Sequence, residues 1–464
     1  MRFTPHDYQE TVLQAMMDKG QLALLLDPGM GKTAICLEDF RRRRDLMVAE
    51  RALVVAPLRV CHSTWPTEAK KWSNFRNLRM HVCHGKGKDL VSTNAADIVV
   101  INPEGVKWLI DNAKLLFNFD VIYVDESTLF KNSQSSRSKA IYQLVHRMNG
   151  GIPYRFTLTG TPAPNGIENL FGQFKILDPE ILGNTLKRFR RDHAFRPHPA
   201  GFGWEPTDGS MASVVKAITP HSIRLEAGDH LDMPGIQYIQ RMITLPQKTM
   251  RLYRELAKEL TIELKNGTVM AANAGVATSK CRQVANGAVY LTPEGLAATE
   301  ETRQIEWLHT AKVDDLCDLY DELGSKPLLV GFEFKHDLSQ IKLGIKDRFG
   351  FIPRYIGETT DAKDDALLIE QWNANELPML LVNPAAASHG LNLQTGGHHL
   401  YWYSQIWDLE QYQQFNARLW RQGQPEGVFI HHAVAEKTVD TRAYNGRLKK
   451  DGTQMKLLYE LKKS

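Results

Sequence analysis

The chain has 464 residues, 43% of them hydrophobic and 24% charged, and its formal net charge is only +4 at pH 7. That length exceeds one ordinary core and implies two or three domains, the composition excludes disordered, fibrous and collagen-like chains, and the small net charge permits a nucleic-acid partner only through a local basic track. No apolar run nears the roughly 18 residues that span a bilayer, the start Met1-Arg2-Phe3-Thr4-Pro5 lacks a leader's apolar core, and five scattered cysteines form neither a disulfide framework nor a zinc ribbon, so a protein of the reducing cytoplasm with no membrane partner is expected.

In chain order, Tyr8-Gln9 come first, a helix length ahead of a glycine-containing loop. The Gln9 amide can donate to and accept from an adenine edge, or simply sit on an amphipathic helix. A first strand is predicted over 22–26, running into Asp27-Pro28-Gly29-Met30-Gly31-Lys32-Thr33 and a helix over 34–43. Strand, glycine loop and helix are the setting of a phosphate-binding loop. There Gly29 and Gly31 let N–H groups turn inward, Lys32 reaches the β- and γ-phosphates, and the Thr33 hydroxyl ligates magnesium. Leu26 stands where the strict pattern has glycine, so the loop is a variant; the plainer reading is a glycine-rich turn with an exposed lysine.

Further strands are predicted over 52–56, 97–101, 121–124 and 155–158, the rhythm of a parallel sheet flanked by helices, where ligands gather at the carboxyl ends of strands. Asp125-Glu126 stand at one such end. Asp125 is placed to hold the magnesium shell and Glu126 to orient and deprotonate an attacking water. Alone, an acidic pair is a solvated loop; its position after an apolar strand favours catalysis.

From 178 to 235 the rhythm breaks, a basic cluster of Lys187, Arg188, Arg190 and Arg191 giving way to prolines and glycines, so an insertion is expected. Helices are predicted over 245–264 and 299–323. A second α/β series follows, with strands over 327–332, 354–356, 378–382, 399–403 and 428–433. The tail, 438–461, reads as a basic amphipathic helix interrupted by Gly446 and Gly452. Arg418 and Arg421, three apart, share one face if helical, and their guanidinium forks suit the charge of a transferring γ-phosphate; an ordinary basic helix face is the alternative.

Together these segments resemble the superfamily-two helicases and, within them, the Swi/Snf-type DNA-dependent ATPases. The resemblance covers nearly the whole chain. It rests on the glycine loop, on Leu53-Val54-Val55-Ala56-Pro57-Leu58 with Trp65 and Glu68, and on Asp125-Glu126-Ser127-Thr128, where the family has an Asp-Glu-x-His box. It continues in Leu158-Thr159-Gly160-Thr161-Pro162, in Ser388-His389-Gly390-Leu391-Asn392, and in the run from Gln414 through Arg418 and Arg421 to Gly423-Gln424. Two departures stand out: Thr128 replaces the usual His, and Ile223-Arg224-Leu225 offers one Arg where many relatives carry a basic cluster.

The resemblance implies two RecA-like lobes, each a parallel sheet flanked by helices, with helical insertions: an ATP-binding lobe over 1–180, inserted and largely helical segments over 181–310, and a helicase lobe over 311–464. It implies ATP and magnesium as ligands, with Gln9 and Gln414 joining the nucleotide site and ATP held between the lobes. Thr159, Thr161, Gly390 and Asn392 are implied to couple that site to the DNA backbone. The expected activity is ATP-driven translocation on duplex DNA without sequence preference, in a bacterial or phage-infected cell; the alternatives are a strand-separating DNA or RNA helicase and a non-hydrolysing ATP-switched clamp.

Overall fold

The computed structural model describes residues 1–85, 96–112, 119–146, 150–199, 203–264, 267–270, 273–291, 304–359, 362–387 and 391–463. They form two compact units, Met1–Leu231 with Lys450–Ser464, and Asp232–Lys449.

In the first unit the strands are β1 (Gln21–Leu26), β2 (Ala52–Val55), β3 (Met80–Val82), β4 (Ile98–Ile101), β5 (Val121–Asp125), β6 (Tyr154–Leu158) and β9 (Ser222–Leu225), with β7 (Phe195–Pro197) and β8 (Trp204–Pro206) as a separate antiparallel pair. The seven-stranded sheet has the order β3-β4-β2-β5-β6-β1-β9 and every pairing in it is parallel. All residues of β2, β4 and β5 are buried, as continuous apolar strands covered on both faces must be. One face packs Leu53, Val99, Ile122 and Val124 against Phe130, Ile141 and Leu144. Elsewhere Ala23 and Leu25 of β1 meet Leu170, Phe171 and Phe174 of the helix Asn169–Leu177, in a cluster that also takes Leu457 and Leu461 from the tail. The register sets Leu24 against Leu158 and Val124 against Thr157, so the segments after β1, β5 and β6 leave the sheet side by side.

The second unit carries β10 (Ile236–Ile243), β15 (Leu328–Gly331), β16 (Arg354–Tyr355), β17 (Met379–Val382), β18 (His399–Trp402) and β19 (Val428–Ala435), parallel throughout in the order β10-β19-β18-β15-β17-β16. Two antiparallel pairs stand apart, β11 (Thr261–Leu264) with β12 (Gly267–Met270) and β13 (Ala288–Tyr290) with β14 (Ile305–Trp307). The α/β reading with two parallel sheets therefore holds, and the fold is RecA-like in both units. Every predicted strand is present; β3, β9 and β10 are added to the two large sheets, and the antiparallel pairs β7–β8, β11–β12 and β13–β14 are further additions.

Other expectations are revised. The 181–310 stretch is shared between the two units, split after Leu231, and it contributes strands to both sheets. The helix expected over 245–264 is Gln247–Glu259; Leu260 closes it in the left-handed region at φ 61°, and the β-branched Thr261-Ile262 begin β11. The helix expected from 299 spans Ala311–Glu322, with β14 ahead of it. The tail is one helix, Val439–Lys463, running through Gly446 and Gly452. Each glycine costs about 1 kcal/mol there, outweighed by the burial of Val439, Ala443, Leu457, Leu458 and Leu461. Among the described residues no helix is long and apolar enough to cross a membrane.

Candidate functional site

The glycine loop lies between β1 and the helix α2 (Lys32–Asp45), and behind it stands α1 (Asp7–Lys19). Gly29 and Gly31 take φ 86° and 76°, a backbone that L side chains resist. Gly31 has a second constraint, since a Cβ there would lie 2.6 Å from Gln9 Nε2. Gln9 is buried on α1 and closes on the loop: its Nε2 donates to Met30 O at 3.3 Å, as does the Tyr8 hydroxyl, while its Oε1 accepts from His6 N at 3.0 Å. Lys32 Nζ donates to the peptide oxygens of Leu26 (2.8 Å) and Asp27 (3.1 Å). Burial pushes the Lys32 ammonium below its ordinary value, against the pull of Glu126, Asp125 and Asp27. Thr33 is half-buried in the first turn of α2.

Asp125 ends β5 as a buried carboxylate. Its Oδ2 accepts from Trp65 Nε1 at 3.0 Å and its Oδ1 from Glu126 N at 3.1 Å. Burial raises its pKa; the Trp65 bond and the Lys32 charge oppose that rise. Glu126 follows with φ 51°, a conformation costly for a side chain with a Cβ. Next comes a short 3₁₀ turn, Ser127–Phe130, in which Thr128 is fully buried.

After β6, Thr159 Oγ1 accepts from Thr161 N at 3.0 Å, and both side chains are buried. Gly160 sits so near the glycine loop that a Cβ would meet Pro28 Cδ at 3.1 Å and Leu26 O at 3.2 Å. One residue that sequence reasoning missed joins the two segments. Buried Gln173 accepts from Ser127 Oγ at 2.8 Å and donates to Pro162 O at 2.6 Å. Its signal was an amide set between Phe171 and Phe174 on a mostly apolar helix whose other polar residues are Asn169 and Lys175. Arg224, which the sequence marked only as a single Arg where many relatives carry a basic cluster, has a partner no spacing revealed: its Nη1 reaches Asp27 Oδ1 at 2.6 Å.

The second unit holds the other set. The expectation that Arg418 and Arg421 share a helical face is not met, because the helix Leu409–Asn416 ends before both. Asn416 is engaged sideways, its Oδ1 accepting from Trp402 Nε1 at 2.9 Å, and the chain leaves in successive turns to Gly423 at φ 88°. From these turns Arg418 Nη1 donates to Leu391 O at 3.3 Å and Arg421 Nη1 to Asn392 Oδ1. Gln424 Nε2 bonds Gln394 O (2.6 Å) and Gly397 O (2.8 Å), fastening the same two segments. Burial lowers the Arg421 pKa. Gln414 is buried on the preceding helix, Asn392 is exposed, and Gly390 lies outside the described residues.

The donors suit the expected ligands. A magnesium ion bound with a nucleotide takes one or two carboxylates besides phosphate oxygens and water, and the first unit offers Asp125 with the Thr33 hydroxyl. The left-handed turns at Gly29 and Gly31, next to a lysine at a helix start, are the backbone a phosphate group needs.

Two parallel sheets, one carrying a lysine, a carboxylate pair and a hydroxyl turn at the carboxyl ends of adjacent strands, define a RecA-like protein. The SNF2-related domain matches residues 8–287, and the chain belongs to that family. It is 33% identical over 479 residues to protein p41 of Acyrthosiphon pisum secondary endosymbiont phage 1, covering 99% of each chain. Identity is 25% over 447 residues to the SWI/SNF-related matrix-associated actin-dependent regulator of chromatin subfamily A-like protein 1 of Xenopus laevis, covering 92% of this chain and 41% of that one. With the DNA repair and recombination protein RAD54 of Oryza sativa subsp. japonica it is 22% over 464 residues, covering 88% and 45%. The chain thus spans less than half the length of those two relatives. Among solved structures, the Sulfolobus solfataricus SWI2/SNF2 ATPase core in complex with dsDNA is similar over 100% of this chain and 96% of that one, with a TM-score of 0.46 and 19% identity.

Proposed function

We propose that the chain hydrolyses ATP and uses the cycle to translocate along duplex DNA without reading its sequence. One observation carries the reading: in a member of the SNF2-related family, Lys32, the buried Asp125 and the Thr159–Thr161 turn follow the carboxyl ends of three adjacent strands, β1, β5 and β6. Lys32, Thr33 and the N–H groups around Gly29 and Gly31 hold the phosphates, Gln9 meets the adenine edge, and Gln414 adds to the nucleotide contacts. Asp125 and Thr33 hold magnesium, which when bound polarises the phosphate oxygens. Glu126 takes a proton from the attacking water as the bond from the γ-phosphorus to its bridging oxygen breaks, giving ADP and inorganic phosphate. Arg418 and Arg421 supply guanidinium charge to the transferring group. Thr159, Thr161, Asn392 and Gly390 couple the cycle to the DNA backbone.

The names of the frog and rice relatives speak of chromatin and of DNA repair and recombination, which supports DNA as the track; the phage relative fits a bacterial cytoplasm. Directionality comes from a difference in DNA affinity between nucleotide states, and backbone contacts make binding sensitive to salt. The test is phosphate release with duplex DNA, single-stranded DNA or RNA. Duplex should stimulate most, with Lys32→Ala inactive and Glu126→Gln binding ATP but releasing phosphate at least about 100-fold more slowly. Preference for single strands, with displacement of a labelled strand, would replace translocation by strand separation. Unchanged release in Glu126→Gln would leave only an ATP-switched clamp.

A further inference from the structure

Asp27 opens the glycine loop, and its peptide oxygen is one of the two that hold Lys32 Nζ. Its carboxylate is gripped from a segment nearly two hundred residues away. Arg224 Nη1 donates to Asp27 Oδ1 at 2.6 Å and also touches the peptide oxygens of Leu25 (3.0 Å) and Leu225 (2.9 Å). Asp27 Oδ2 accepts from Ala227 N at 3.0 Å. The sheet sets this up, since β9 lies beside β1 with Leu25 opposite Arg224 and Leu26 opposite Leu225. The strand that launches the loop and the strand that carries the arginine are therefore in fixed register.

The Arg224 side chain is only 3% exposed, and a cation so buried is costly unless an anion meets it. Asp27 is the near one. Glu226 Oε1 lies 3.7 Å from Arg224 Nη2, but Glu226 also receives Lys462 Nζ at 2.8 Å, and that lysine pairs with Asp229 as well. Part of Glu226's charge is thus directed to the tail helix, leaving Asp27 as the principal counter-ion of Arg224.

We propose that Arg224 is a positioning residue for nucleotide binding: through Asp27 it fixes the first peptide of the glycine loop, and so the place where Lys32 and the loop N–H groups meet phosphate oxygens. The inference rests on the ATP reading above. It adds a residue that lies outside the loop motif and touches no phosphate itself.

The test uses the full chain, a fluorescent ATP analogue for binding, and steady-state phosphate release. Arg224→Ala should raise Kd and KM at least about tenfold, the scale of one buried charged hydrogen bond, while kcat stays within about twofold. Asp27→Asn should give the same split, and the double variant should be no worse than Asp27→Asn alone, because both changes remove one interaction. Arg224→Lys, which keeps the charge but not the fork, should fall between. If thermal unfolding shows that Arg224→Ala no longer folds, Asp27→Asn and Arg224→Lys carry the test. Unchanged KM in both of those, or a loss confined to kcat, overturns the proposal. If the unaltered protein binds no ATP, the ATP reading fails first and takes this one with it, an outcome visible before any variant is made.

Discussion

Asp125 places a carboxylate where burial favours its neutral form, and three neighbours hold the charge in place: the Trp65 indole at 3.0 Å, the Lys32 ammonium and the Glu126 N–H at 3.1 Å. Trp65→Phe keeps most of the ring's bulk and deletes the donor. The sign follows directly: the indole bond lowers the Asp125 pKa, so its loss lets the pKa rise further. On the proposed function Asp125 is a magnesium ligand and must be ionised, so the acid limb of the pH profile of phosphate release should move to higher pH in Trp65→Phe, with the plateau at alkaline pH largely kept. A profile superimposable on that of the unaltered protein would mean that Trp65 only fills space. The same residues show what was legible. Lys32, Asp125 and Glu126 each follow an apolar strand within a few residues of chain, so spacing betrays them. Arg224 and Asp27 meet only because β9 pairs with β1, and Gln173 bridges two loops; pairings over such separations leave no local pattern.

At the scale of elements, the tail helix invites a change that its glycines permit. Gly452 lies within Val439–Lys463, and a Cβ there would have nothing within 4 Å, whereas at Gly446 it would lie 3.2 Å from the Trp407 ring. Gly452→Ala should stabilise the helix by about 0.5–1 kcal/mol, from the lost freedom of the unfolded chain and the better helix propensity. Gly446→Ala should gain less or nothing, since Trp407 must yield. Denaturant titration of both variants checks the ordering; equal gains would mean that the indole moves freely. Helix and strand legibility divides along similar lines. Strands with continuous apolar runs, such as β2, β4 and β17, announce themselves. The edge strands β9 and β10 are half-exposed, so their polar residues look like loop. The two arginines looked helical because three-residue spacing is all a sequence shows; the sideways hold on Asn416 by Trp402 was not visible.

Over the whole molecule, each unit has its own sheet and core, so a single unfolding transition is not required, and acid should act unequally on the two. The second unit buries His399 on β18 and His431 and His432 on β19. Burial pushes His399 down to about 3 and His431 down to about 4, helped by neighbouring positive charge from His398, Lys326 and Arg241 and opposed at His431 by Glu322, and it holds His432 well below its ordinary value beside Arg447. His399 Nδ1 and His431 Nε2 are 3.3 Å apart, so these two rings titrate as a pair. In the unfolded chain all three take up protons near pH 6.5, while the folded unit resists until far lower pH. The stability they contribute is complete above about pH 6.5 and drains away as pH falls toward 4, because the unfolded state then binds more protons. Denaturant titration of the full chain between pH 7.5 and 5 should show the midpoint of the second unit's transition falling with acid. His431→Gln, which removes one titrating ring, should flatten that dependence. A midpoint constant across this range would mean that the three rings accept protons without unfolding, and that solvent reaches β18 and β19 in the native protein.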